Sequence, residues 1–147
     1  MNRVAISAVA TLALAVAGCS GSSPSMSRLR QEAASICQRA LAQSDQIQPP
    51  ALPSGTARFL RRGERVLAPE LAELRTLKPS TDGAVSYSAA LAAKSRQLDI
   101  LNGTIRGLDR GADPVSAIKT LERRLAPAES AENAAWRTLD VPACANR

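Results

Sequence analysis

Gly111-Ala112-Asp113-Pro114 constrains the fold of this chain more than any other stretch. A glycine past the end of one periodic segment, then an aspartate that can cap and a proline at the first position of the next, is the punctuation between two helices joined by a tight turn. Two antiparallel helices must meet here. Upstream, Tyr87, Leu91, Lys94, Leu98, Leu101, Ile105 and Leu108 alternate spacings of four and three; downstream, Val115, Ile118, Leu121, Leu125, Ala128, Ala135 and Leu139 recur at helical spacing. Mirroring positions about the Gly111–Ala112 turn sets Leu108 against Val115, Ile105 against Ile118, Leu98 against Leu125 and Tyr87 against Trp136. The same operation sets Lys94 against Glu129, with Glu132 one turn further on. Apolar residues oppose apolar ones, and the lysine in the stripe meets a carboxylate, a semi-buried ion pair able to fix helix register.

The remaining segments follow from the same rules. The apolar residues are dominated by Ala and Leu, with a single Phe59, Tyr87 and Trp136. Such a composition favours helix, because Ala and Leu lead the helix scale while the usual strand formers are scarce. A first helix is expected over about 28–45, carried by Leu29, Ala33, Ile36, Cys37, Ala40 and Leu41 and broken by the prolines at 49, 50 and 53. A second is expected over about 54–77, opened by Ser54 or Thr56 and carrying Leu60, Val66, Leu67, Leu71, Leu74 and Leu77. Pro69 lies inside it, predicting a kink or a restart near Ala68. The third, about 82–110, opens at Ser80-Thr81-Asp82 and continues through Asn102-Gly103, with Gly103 and Gly107 allowing a close neighbour. The fourth, about 114–139, contains Pro127, which predicts another bend. Four helices with short links make an all-α, up-and-down four-helix bundle over 28–147.

Ahead of the bundle, Arg3 precedes an apolar run from Val4 to Ala17, followed by Gly18-Cys19-Ser20. A basic start, an apolar core of roughly 7–15 residues and a small-residue cleavage site make a secretory signal. The run is too short for a transmembrane helix, which needs about 20 apolar residues. Val16-Ala17-Gly18-Cys19 resembles the lipobox of bacterial lipoproteins. That resemblance implies a diacylglyceryl group on the Cys19 thiol, cleavage between Gly18 and Cys19, and a mature chain starting at Cys19. Two acyl chains hold a protein stably at a bilayer. The competing reading is an ordinary cleaved signal with an incidental cysteine. The chain then divides into a signal peptide (1–18), a Ser/Gly/Pro tether (19–27) and the bundle (28–147). The expected location is the outer face of the cell membrane, or the periplasm or outer membrane of a diderm organism. The bundle itself resembles the small Ala/Leu/Arg-rich helical lipoproteins of actinobacterial type, a likeness that carries over no catalytic residue.

With Cys19 taken by lipid, Cys37 and Cys144 remain in a compartment that permits disulfides, and one bridge would tie the first helix to the C-terminal tail. The alternative is two buried thiols. Histidine is absent, which excludes histidine-based acid–base catalysis and histidine-containing metal sites. No metal, cofactor or catalytic residue is expected. Lys94 and Ser95 are adjacent, yet neighbours on a helix do not face each other. The formal net charge is +6. An exported basic protein meets anionic lipid or acidic polymer rather than nucleic acid. Arg58, Arg61, Arg62 and Arg65 form one stripe beside Phe59 and Leu60, either a solvated face or a contact with an anionic surface. The function expected is a non-enzymatic, lipid-anchored interaction or structural module that meets the membrane through Cys19 and another envelope protein or an anionic polymer through its helix faces. The alternative is a ligand-binding or sensing lipoprotein with an apolar pocket between kinked helices, recognisable by a cavity of about 300 Å³ or more.

Overall fold

Ser25 opens the first helix, its hydroxyl accepting a hydrogen bond from the Arg28 amide at 3.3 Å. The computed structural model describes residues 25–145, and in it α1 runs Met26–Ser44. It starts two residues before the expected Arg28 because the serine supplies a cap that apolar spacing does not register. Next come α2 (Thr56–Thr76), α3 (Ala84–Asp109) and α4 (Pro114–Thr138), each antiparallel in sequence order to the one before. Short 3-10 turns lead into α2 (Pro53–Gly55) and α3 (Thr81–Gly83), and another follows α4 (Pro142–Cys144). The described residues contain no strand, and the architecture is the expected all-α four-helix bundle.

The turn between α3 and α4 is built as its residues predict. Gly111 takes φ +91°, a conformation that costs a glycine little. The Ala112 amide reaches back to the Gly107 carbonyl at 3.1 Å, and the Asp113 carboxylate accepts from the Ser116 amide at 2.8 Å. The second half of α4 lies over the first half of α3. Tyr87 and Trp136 meet edge to face, with ring centroids 5.7 Å apart and planes at 81°.

Several local expectations are corrected. Both α2 and α4 are continuous through their prolines, so α2 does not restart near Ala68. Pro69 and Pro127 lie on solvent-exposed positions, as do Arg65 and Arg123, whose carbonyls lose an intrahelical donor; water can take that place. The residues after Ser80 form a 3-10 turn, Thr81–Gly83, instead of a capped α-helical start, and no Ser80 side-chain cap is made. The glycines that permit a close approach are Gly83, where an added Cβ would lie 2.7 Å from the Met26 sulfur, and Gly55, where it would lie 2.8 Å from the Pro50 Cβ. Nothing comes within 4 Å of an added Cβ at Gly103, and at Gly107 only the Ala112 Cβ does, at 4.0 Å. Val115 is exposed, because it sits in the first turn of α4 at the rim of the bundle, while Leu108, Ile118 and Leu125 pack inward.

The core is divided. One cluster, around Leu29, Ala33, Leu74, Tyr87, Trp136, Leu139 and Val141, includes Cys37 and Cys144, which are joined as a disulfide with Cα atoms 5.2 Å apart. This half holds the start of α1. A second cluster of Leu60, Ile100, Leu101, Ile105 and Leu121 fills the opposite half. Buried polar residues lie between them: Glu70, Lys94, Gln97 and Glu132.

Candidate functional site: a cleft between two cores

The polar layer is a connected cluster. Lys94 on α3 donates to Glu70 on α2 at 3.0 Å and pairs with Glu132 on α4 at 3.2 Å. Glu132 also accepts from Gln97 Nε2 at 2.6 Å and from the indole N–H of Trp136 at 3.0 Å. Both carboxylates and the ammonium are almost fully buried. Between the two expected partners of Lys94, the structure chooses Glu132 over Glu129. Ala128, Glu132 and Trp136 follow one another at spacing four on the buried face of α4, whereas Glu129, one residue round the helix, is exposed.

Glu70 escaped sequence reasoning because it follows a proline and carries a charge. A signal for it existed, since it stands midway between Val66 and Leu74, four residues from each, on a stripe that is otherwise apolar. Ser95, next to Lys94, accepts instead from Arg75 at 3.3 Å, so the two side chains are engaged separately.

Beside this cluster the bundle is not closed. α1 has 19 residues against 26 in α3 and 25 in α4. At 1.5 Å per residue it falls short of them by about 10 Å, and its last turn and Ile47 stand over the second core at a distance. Two adjoining chambers result. The polar one, about 210 Å³, is lined by Lys94, Gln97, Glu129, Glu132 and Asn133 together with Leu41, Ser44 and Leu67. The apolar one, about 290 Å³, is lined by Phe59, Leu60, Gly63, Leu101, Leu121 and Leu125. Ser44, Leu67, Gln97 and Glu129 border both, which makes them lobes of one cleft. An added Cβ at Gly63 would touch nothing within 4 Å. Glycine inside a helix costs roughly 0.5–1 kcal/mol relative to alanine, and here that residue leaves the wall of the apolar lobe recessed.

The arginine stripe lies elsewhere. Arg61 pairs with Asp109, and Arg62 donates to the Gln48 carbonyl at 3.0 Å; Arg58 and Arg65 are exposed. All four belong to the half of the bundle opposite the start of α1. That half, residues 41–66 and 97–126, holds nine basic and six acidic side chains, while the rest of the described chain holds eight basic and seven acidic. The net positive charge of the described residues is therefore concentrated at the end away from α1's start. Leu52 and Val115 are exposed at the same end.

Among the described residues no group of acidic, cysteine or histidine side chains could hold a metal ion, and no helix is long and apolar enough to cross a membrane. Gly18 and Cys19 lie outside the described residues. No family model matches the chain, and neither a curated protein nor a solved structure matches it significantly.

Proposed function

We propose that this chain is a non-enzymatic, lipid-anchored binding protein of the cell envelope, whose ligand is a small amphiphile held in the cleft between α1, α2, α3 and α4. The observation that carries the reading is the cleft itself, which joins an apolar lobe to a polar one at the scale of small-molecule sites. Amphiphiles are the ligands such a shape fits, with a chain in the Leu/Phe lobe and a polar head toward Gln97 and Glu129.

The anchor follows from the lipobox residues. Six residues lie between Cys19 and Met26, seven steps with a reach of at most about 25 Å, so a diacylated Cys19 keeps the bundle near the bilayer. Growth with radiolabelled palmitate should label the wild-type protein, and Cys19→Ala should abolish the label and release the protein; label kept on the variant rules out lipidation at Cys19.

The cleft is tested with N-phenyl-1-naphthylamine, an uncharged dye that fluoresces in apolar surroundings. The full chain carrying Cys19→Ser should bind it, and the further change Gly63→Phe should abolish binding while leaving the helix content intact. Binding unaffected by Gly63→Phe contradicts the proposal. A second reading, contact with an anionic polymer or an acidic envelope protein, is favoured by the concentration of basic side chains at the end away from the start of α1. It uses a different surface and is compatible with an occupied cleft.

A further inference from the structure

The cleft's charge runs against that of the protein. Lys94 is the sole basic residue lining either lobe, and it already faces two carboxylates, Glu70 behind it and Glu132 beside it. Glu129 adds a third carboxylate at the border of the two lobes. Two carboxylates hold the ammonium and a third lines the cleft beside them, in a chain whose formal net charge is +6. Buried or half-buried charges are costly unless matched, and a cation entering the polar lobe reduces the local imbalance. An anion entering it is repelled by Glu129 and Glu132.

The second element is the tail. The apolar lobe is walled by leucines and Phe59, with the recess over Gly63 open for an aliphatic segment. Together these features fix the class of ligand. We propose that the cleft selects a cationic amphiphile, its ammonium or comparable basic head lying between Glu129 and Glu132 and its aliphatic tail lying over Gly63. This rests on the cleft being a ligand site, and adds to it the sign of the charge that the site prefers.

The test sets the local field against the global one. Decyltrimethylammonium, decyl sulfate and decanol, each below any micelle-forming concentration, are titrated into the full chain carrying Cys19→Ser, so that no membrane competes for them. Binding is followed by calorimetry and by the fluorescence of Trp136, the chain's one tryptophan, whose indole N–H is bonded to Glu132. The overall positive charge favours decyl sulfate, whereas the cleft favours decyltrimethylammonium. The expected result is that the cation binds more tightly than the sulfate by about tenfold, the scale of one charge–charge contact at a part-exposed site. Glu129→Lys should lower the affinity for the cation by about the same factor and leave decanol unchanged. Gly63→Phe, or Gly63→Leu if the larger side chain impairs folding, should abolish binding of all three. Sulfate binding as tightly as the cation and still lost on Gly63→Phe overturns the charge preference and leaves the cleft as a ligand site. Failure of all three to bind in a Gly63-dependent way overturns both.

Discussion

Replacing Lys94 by methionine should be the most damaging single substitution in the bundle's interior. The side chain is 2% exposed and holds two carboxylates that are themselves buried, Glu70 at 3.0 Å and Glu132 at 3.2 Å. Methionine keeps much of the lysine's volume and removes its charge, stranding two anions in the layer between the cores. Breaking a buried pair by deleting one partner costs about 3–5 kcal/mol. With an unfolding entropy of about 2.1 cal/mol/K per residue over a bundle of roughly 120 residues, that is a fall in Tm of roughly 12–20 °C. Urea and thermal unfolding followed by circular dichroism would measure it. The triple variant Lys94→Met, Glu70→Leu, Glu132→Gln removes all three charges and leaves an amide to accept from Trp136. It should return to within about 1 kcal/mol of the starting protein, since replacing a whole buried ionic group is often neutral. A loss below about 1 kcal/mol for Lys94→Met alone would refute the reasoning, by showing that water reaches the cluster and stabilises the carboxylates without the lysine.

Two further outcomes follow from particular contacts. Changing Cys37 and Cys144 together to alanine frees a loop of 107 residues, for which the chain-entropy estimate is about 5 kcal/mol; an unchanged urea midpoint after substitution would show that the bridge does not constrain the unfolded chain. Burial, with a smaller contribution from the negative charge of Glu32, pushes the Tyr87 hydroxyl from 10.0 up to about 12. A value raised in the folded state gives stability that is complete below about pH 10 and is lost as pH climbs through about 12. Tyr87→Phe should therefore flatten the alkaline part of a stability-versus-pH curve, and an identical slope in the variant would exclude this origin.

How far the sequence reveals this molecule depends on which contacts are local. The turn at Gly111-Ala112-Asp113-Pro114 is legible because glycine, capping aspartate and proline each have a conformational reason to stand where they do. The edge-on meeting of Tyr87 with Trp136 follows from that turn by counting. Counting fails further along for Lys94, because Glu129 and Glu132 are separated by a rotation about the helix axis that mirror symmetry ignores. It fails for Val115 because pairing across a turn says nothing about whether a third helix covers the pair. Glu70 is hidden by its charge, a residue that patterning assigns to the surface and that only Lys94, on another helix, makes tolerable inside. The cleft is least legible of all. It arises from the difference in length between α1 and its neighbours and from the empty side of Gly63, and neither leaves a periodic trace.

Where an uncharged amphiphile binds can be mapped residue by residue by NMR. Decanol titrated into the isotopically labelled Cys19→Ser chain should shift the amide resonances of residues bordering both lobes, Ser44, Leu67, Gln97 and Glu129, together with those of Gly63 and Leu125. The exposed apolar tip at Leu52 and Val115 should stay silent. Shifts confined to that tip, with the cleft residues unmoved, would contradict a binding site between the helices.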